Sequence, residues 1–344
     1  MRQKNIPNLV DYEKTAESFS WEKEEQSLPS LGENKINAGF ISITNSAKNH
    51  PGKDALIYLD EENRKTFSYK DLDELSNKFA NVLKNLKTEK GDRVFFFLPR
   101  VPELYFGFLG TLKIGAIGGT LFPAFGPKAL LQRLKNSQAK VLITDSSLYE
   151  RVEKIRKDLP DLKEVILIDQ NQKNCHNLQT LISDVSSDFE IEKMDPSDPA
   201  FMLYTSGTGV TPVSGIVIPH KAIAQQRKTA EWVLDLKEDD IYWCTSDPGW
   251  VTGIVYGIIA PFSLGVTIVV SKDRFNAENW FSILEKEKVS VFYSAPTAFR
   301  FLEKEDHLAE KYDFSKLRHI LSVGEALPPS SIKWAEKIFN LSIY

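Results

Sequence analysis

Short apolar runs alternate along most of this chain with amphipathic stretches of helical period. VFFFLP (94–99), KVLITD (140–145), EVILID (164–169), AFMLYTS (200–206), GIVIPH (215–220), IYWCT (241–245), VTIVVS (266–271), VSVFYSA (289–295) and HILSVGE (319–325) read as strands. Helices are predicted between and after them at 102–115, started by Pro102, and at 147–159, 221–234, 276–287, 297–304 and 330–339. Continuous apolar strands alternating with helices predict an α/β fold with parallel sheet covered on both faces. Upstream, 55–67 alternates like a hairpin around an acidic turn at Asp60–Asn63. Ser68 and Asp71 then open a helix whose stripe is Leu72, Leu75, Phe79, Leu83 and Leu86.

The polar segments suggest a division. Residues 1–50, with scattered aromatics such as Phe19 and Trp21, read as an N-terminal extension lying on the main body. The stretch 171–198 is polar and irregular, a link between a first α/β subdomain (51–198) and a second (199–344). NLSIY (340–344) reads as a strand just starting, which creates the expectation that the chain is truncated.

Composition narrows the classes. The 344 residues are 42% hydrophobic and 26% charged, with a net charge of -4. That balance excludes a broad basic field, so neither nucleic acid nor an acidic membrane is an expected partner. Cys175 and Cys244 lack zinc-ligand spacing and read as reduced, partly buried thiols; no metal site is expected. The first twenty residues carry acids and no apolar core, unlike a signal peptide, and no apolar run approaches the roughly 18–20 residues that span a bilayer. The default location is cytoplasmic.

The strongest local chemistry is Tyr204-Thr205-Ser206-Gly207-Thr208-Gly209-Val210-Thr211-Pro212, a Thr/Ser/Gly-rich turn directly after an apolar strand. Hydroxyls and closely spaced backbone N–H groups without bulky side chains suit a phosphate chain, although a plain hairpin turn has the same composition. No Gly-Lys-Ser/Thr follows, so this is not a nucleoside-triphosphatase P-loop. The segment resembles the phosphate loop of the adenylate-forming family, which includes acyl-CoA synthetases, luciferases and peptide-synthetase adenylation domains. Its first five positions match the family pattern. Gly209-Val210 and Val213-Ser214 depart from it, and the segment is one residue longer.

Three further stretches follow in the family's order. Asp247-Pro248-Gly249-Trp250-Val251-Thr252-Gly253 resembles the acyl-pocket segment of acetyl-CoA synthetases, although Trp250 also fits a buried aromatic turn. Tyr293-Ser294-Ala295-Pro296-Thr297-Ala298-Phe299-Arg300 resembles the family's Pro-Thr segment near the nucleotide. Leu321-Ser322-Val323-Gly324-Glu325-Ala326-Leu327 resembles its Gly-Glu-Pro turn, with Ala326 in place of proline; Glu325 alone also fits a helix N-terminal acid. Lys90-Gly91-Asp92-Arg93-Val94 and Lys113-Ile114-Gly115-Ala116 match scaffold features.

The resemblance implies two mostly parallel sheets sandwiched with helices, as the N-terminal part of that fold, without its small C-terminal domain. It implies that Thr205, Ser206, Gly207 and Thr208 hold the phosphates, that Gly324, Glu325 and Ala326 border adenine, and that Trp250, Val251, Thr252 and Val323 surround a small acyl group. ATP, Mg²⁺ and coenzyme A are the implied cofactors and substrates, with acetate as the acid and a separate chain as a possible supplier of the C-terminal part. The family's acidic metal-linked segment, ribose-binding Asp segment and catalytic Lys are not found in this sequence. The expectation is therefore an acetate-activating ligase by family that releases no acetate-dependent pyrophosphate as this chain alone. A non-catalytic nucleotide-binding fragment, half of a split enzyme, and a ligase for propionate or another short acid are the alternatives.

Overall fold

The computed structural model describes residues 6–61, 63–204 and 214–344. Among these residues the strands are β1 (Asp54–Asp60), β2 (Asn63–Ser68), β3 (Arg93–Phe97), β4 (Ile117–Thr120), β5 (Val141–Thr144), β6 (Glu164–Leu167), β7 (His176–Asn177), β8 (Pro199–Tyr204), β9 (Gly215–Pro219), β10 (Ile241–Cys244), β11 (Thr267–Ser271), β12 (Val291–Ser294) and β13 (His319–Ser322). They form two sheets, ordered β13-β12-β10-β11-β1-β2 and β7-β6-β5-β3-β4-β8-β9. Only the β1/β2 and β8/β9 ladders are antiparallel; the rest are parallel. The expected pair of mostly parallel sheets is therefore present.

The period-two alternation of the strands divides the molecule into layers. Val94 and Phe96 of β3 enter the inner core together with Leu56 and Tyr58 of β1, Tyr242 of β10 and Ile268 of β11. The helices Tyr69–Asn85 and Pro102–Lys113 fill the space between the sheets with Tyr69, Leu72, Phe79, Phe106 and Phe108. Phe95 and Phe97 face the other way, onto the helices Pro127–Ser137 and Ser146–Glu153. Ile57, Trp243, Val269 and Phe292 face outward onto the helices Ala277–Lys286, Pro296–Lys304 and Pro329–Phe339. Two sheets with helices inside and on both outer faces bury the central strands on both faces, which explains their uninterrupted apolar runs, whereas the edge strand β9 leaves Ile216 and Val217 exposed.

Local signals act as predicted at the first long helix. The Ser68 hydroxyl accepts from the Asp71 N–H at 3.1 Å, and the Asp71 carboxylate accepts from the Ser68 N–H at 2.8 Å. This reciprocal cap satisfies two donors at the helix start.

Elsewhere the structure adds to or alters the reading. Within 1–50, the helices Tyr12–Ser18 and Trp21–Gln26 lie on the surface, but Ile36, Ala38, Phe40, Ile41 and Ile43 belong to the inner core. The later part of that segment is core rather than extension: its apolar positions FISI are covered by the neighbouring helices. Within 171–198, β7 and the helix Leu178–Ser183 are ordered. The position 198/199 is not a boundary between sheets. β8 and β9 join β3–β7, while β1 and β2 join β10–β13. β1 pairs with β11 in the register Leu56↔Ile268. Finally, Ile343 forms a parallel bridge with Ile320 of β13, and the Tyr344 N–H donates to the Ile320 carbonyl at 3.1 Å, so the last residues do begin a strand-like pairing.

Two buried polar groups tie distant parts of the chain together, the second of them joining the early segment to the body. Lys113, with no exposure, donates from Nζ to Asp73 Oδ1 at 2.7 Å, Ser76 Oγ at 2.8 Å and Asn77 Oδ1 at 2.6 Å. His220, just after β9, is also fully buried, and its Nδ1 accepts from the Ala38 N–H at 2.9 Å.

Candidate functional site

Parallel ladders place the carboxyl ends of β13, β12, β10 and β11 along one edge of the six-stranded sheet. In the other sheet the carboxyl ends of β3, β4 and β8 likewise share an edge. Crevices outside such carboxyl ends are where open α/β sheets bind ligands. The sequence-predicted segments leave from these ends: 245–252 after β10, 295–300 after β12, 323–326 after β13 and 205–208 after β8. Thr205, Ser206, Gly207 and Thr208 lie outside the described residues. Tyr204, immediately before them, is anchored: its hydroxyl donates to the Arg133 carbonyl at 2.9 Å and lies 2.9 Å from Asn136 Oδ1.

The turn after β10 is built around Asp247. Its Oδ1 accepts from the Gly249 N–H at 2.8 Å and its carbonyl accepts from the Trp250 N–H at 3.0 Å. Desolvation pushes the Asp247 carboxyl up, while the Gly249 N–H and the Arg100 charge act in the opposite direction. Side chains are excluded here. A Cβ on Gly249 would lie 2.6 Å from the Phe122 Cα, and one on Gly253 would lie 2.2 Å from the Asp247 carbonyl oxygen. Trp250 is 37% exposed and stands beside Phe122, with ring centroids 5.7 Å apart. Val251 is 57% exposed, and Thr252 is half-buried on the short helix Val251–Ile254.

The exits of β12 and β13 interlock. The Val323 N–H donates to the Ser294 carbonyl at 3.2 Å, which extends the ladder by one residue, and the Val323 side chain packs on the inner core. Gly324 takes a φ of 96°, a left-handed turn that glycine adopts without strain. Glu325 reaches back to the start of the Pro296–Lys304 helix: Oε1 accepts from Thr297 Oγ1 at 2.7 Å and Oε2 from Arg300 Nη2 at 3.2 Å. Gly324, Glu325 and Ala326 are exposed. A hydroxyl pair, Thr245 Oγ1 and Ser294 Oγ at 2.6 Å, links the β10 and β12 exits.

The Pro-Thr and Gly-Glu-Ala segments thus come together, as do Trp250 and the rim of the other sheet. Segments 250–252 and 323–326 do not adjoin: β12 separates them, placing their strands about 10 Å apart at the usual interstrand spacing. From the other sheet, the residues that meet this edge leave β3 and β4: Arg100 at Thr245, Thr120 at Pro248 and Phe122 at Trp250. An open groove of about 970 Å³ is not lined by any of the predicted residues. It lies beside Asp60, Lys272, Asp273, Phe275 and Lys286 at the ends of β1 and β11.

Three contributors escaped the sequence reading. Arg100, after β3, donates from Nη1 to the Thr245 carbonyl at 3.1 Å and from Nη2 to the Asp273 carbonyl at 3.3 Å. Thr120, closing β4, donates its hydroxyl to the Pro248 carbonyl at 2.5 Å. Phe122 supplies the ring beside Trp250. An arginine directly after a buried strand (FLPR) was an available signal for the first. Nothing local marks the other two. Both cysteines are free, and burial pushes both thiols up.

Residues 43–344 match the family described as AMP-binding enzyme. An acetyl-coenzyme A synthetase of Bacillus subtilis is 45% identical over 98% of this chain and 59% of its own length. One of Methanothrix thermoacetophila is 35% identical over 87% of this chain and 49% of its length. The crystal structure of a Brucella canis acyl-CoA synthetase superposes with a TM-score of 0.89 at 28% identity, covering 96% of this chain and 60% of that one. The chain thus spans about half the length of the curated relatives it matches.

Proposed function

The chain belongs to the AMP-binding enzyme family, and on that premise we propose that it carries the acyl and nucleotide sites of a ligase that activates acetate with ATP to acetyl-adenylate and passes the acyl group to coenzyme A. The observation that carries the reading is the arrangement of the three carboxyl-end segments. Asp247–Thr252, Pro296–Arg300 and Val323–Ala326 leave three neighbouring parallel strands at one edge of their sheet, and Arg100, Thr120 and Phe122 of the other sheet meet the first of them.

Each segment has a role in this reading. Trp250, Val251, Thr252 and Val323 would bound a short acyl chain, because a pocket discriminates by the volume it leaves. Gly324, Glu325 and Ala326 would border the adenine, with Glu325 held by Thr297 and Arg300. Thr205, Ser206, Gly207 and Thr208 would supply hydroxyl and N–H donors to the phosphates. Adenylation needs the carboxylate held in line with the α-phosphorus while pyrophosphate leaves, so positioning and charge neutralisation carry most of the rate. Mg²⁺ bound with the nucleotide would neutralise phosphate charge. Among the described residues no group of three or more His, Cys, Asp or Glu side chains could hold a metal, and no step is routed through the ion. No helix among the described residues is long and apolar enough to cross a membrane; a cytoplasmic setting is part of the proposal.

The test is calorimetric titration of the chain with two non-hydrolysable adenylates, acetylsulfamoyl adenosine and its butyryl analogue. Saturable binding that favours the acetyl compound is expected. Absence of binding to both refutes the reading. A second reading, nucleotide binding without turnover, is favoured by the departures at Gly209-Val210 and Val213-Ser214. It predicts adenylate binding without acetate-dependent pyrophosphate release.

A further inference from the structure

The turn Thr245–Trp250 is the part of the candidate site that both sheets hold. Thr120 and Phe122 meet it from β4. Arg100 meets it from β3, and its guanidinium bonds two main-chain carbonyls at once: Thr245, which ends β10, and Asp273, just past β11. Among the described residues Arg100 forms no ion pair within 4.0 Å, so its polar contacts go to the main chain. The groups that sense its charge are Asp247 in the turn, Tyr105 on the Pro102–Lys113 helix and Cys244 on β10.

We propose that Arg100 is a positioning residue: by pinning the exits of β10 and β11 with two arms of one planar group, it sets the orientation of Trp250 and of the Val251–Thr252 wall. The shape of the side chain matters more than its charge. A guanidinium offers donors in a fixed fork, whereas an ammonium is a point charge on a flexible stem that does not hold two carbonyls in one geometry. Two carbonyl ends facing the same group would otherwise repel each other, and the turn that follows them would lose its register against Phe122. Asp247 adds to the demand, since its half-buried carboxylate senses the Arg100 charge and a buried carboxylate needs a positive group nearby. The inference rests on the reading of residues 250–252 as an acyl wall, and the experiment separates the two.

The chain, which has six tryptophans, is labelled with 5-fluorotryptophan, and the Trp250 fluorine resonance is identified by its loss in Trp250→Phe. Arg100→Gln and Arg100→Lys are then compared with wild type for that resonance, and for the ratio of affinities toward acetylsulfamoyl and butyrylsulfamoyl adenosine. The expected result is a shifted or split Trp250 line in both variants with the other five lines in place, and an acetyl preference reduced about tenfold, the scale of discrimination a small pocket provides. An unmoved Trp250 line in both variants overturns the proposal, and so does full restoration of line and preference by lysine, which would assign the effect to charge. If Arg100→Gln loses all its dispersed lines through unfolding, Arg100→Lys decides alone on the same criteria. If wild type binds neither adenylate, the acyl-wall reading fails, while the Trp250 line still judges Arg100.

Discussion

Lowering the pH from 7.5 to 5 should cost this protein stability through one side chain, His220. The imidazole is fully buried, and Nδ1 accepts the Ala38 N–H at 2.9 Å, which requires the neutral ring. Burial lowers its pKa from 6.5 to about 4; Asp198 acts to raise it and Lys90 to lower it, and those two are themselves paired at 2.8 Å. The unfolded chain therefore takes up a proton that the folded chain refuses. The stability this provides is fully present above pH 6.5 and is lost as pH falls toward 4. The interval from 6.5 to about 4 amounts to about 3 kcal/mol, of which about 2 kcal/mol is lost by pH 5. The control is His220→Asn, whose Oδ1 can take the Ala38 N–H but which does not titrate. Urea unfolding followed by circular dichroism, for both proteins from pH 7.5 to 5, isolates the histidine from the carboxylates common to both. Wild type should lose about 2 kcal/mol more than the variant. Parallel loss in the two proteins would falsify the assignment of a buried neutral imidazole.

Three further outcomes are expected. Gly253→Ala places a methyl against the Asp247 carbonyl and should lower unfolding free energy by about 1–3 kcal/mol, the usual cost of overpacking; wild-type stability would show that the turn has room to relax. Thr297→Val removes a donor to Glu325 at an exposed site, so stability should change by less than about 0.5 kcal/mol while affinity for ATP falls several-fold; unchanged affinity counts against placing adenine there. Lys113→Met leaves the Asp73 carboxylate without its ammonium partner and should cost about 3 kcal/mol in a urea titration, with a cost below 1 kcal/mol arguing that water replaces the ion pair.

Most of the scaffold was readable because its strands are apolar on both faces. VFFFLP splits between two cores, Val94 and Phe96 inward and Phe95 and Phe97 outward, and such a run has few other uses. The opposite case is β4, whose Ile-Gly-Gly-Thr carries little apolar signal. A Cβ on Gly118 would lie 2.7 Å from the Phe108 ring, and one on Gly119 would lie 2.4 Å from Phe95. The bulk that fills this part of the sheet comes from neighbouring elements, so the strand itself is silent. The site divides the same way. Residues 247–252 and 323–326 stood out as local motifs. Arg100, Thr120 and Phe122 leave β3 and β4 and act only once the other sheet, whose strands come from before and after β3–β9 in the chain, is laid against them. The burial of Phe40–Thr44 was obscured for a related reason: its partners are helices far along the chain.

The interleaved sheets also constrain how the protein can be made. Leu56 of β1 waits for Ile268 of β11, which follows it by 212 residues (268 minus 56). During synthesis the β1/β2 hairpin emerges first and has one unpaired, apolar edge until most of the chain has followed. Such an edge invites pairing with other chains, so this is where nascent molecules would aggregate or recruit a chaperone. The same arrangement rules out a clean dissection. A cut anywhere between Ser68 and Thr267 leaves the six-stranded sheet divided between the two pieces, each holding part of a layer that neither can close.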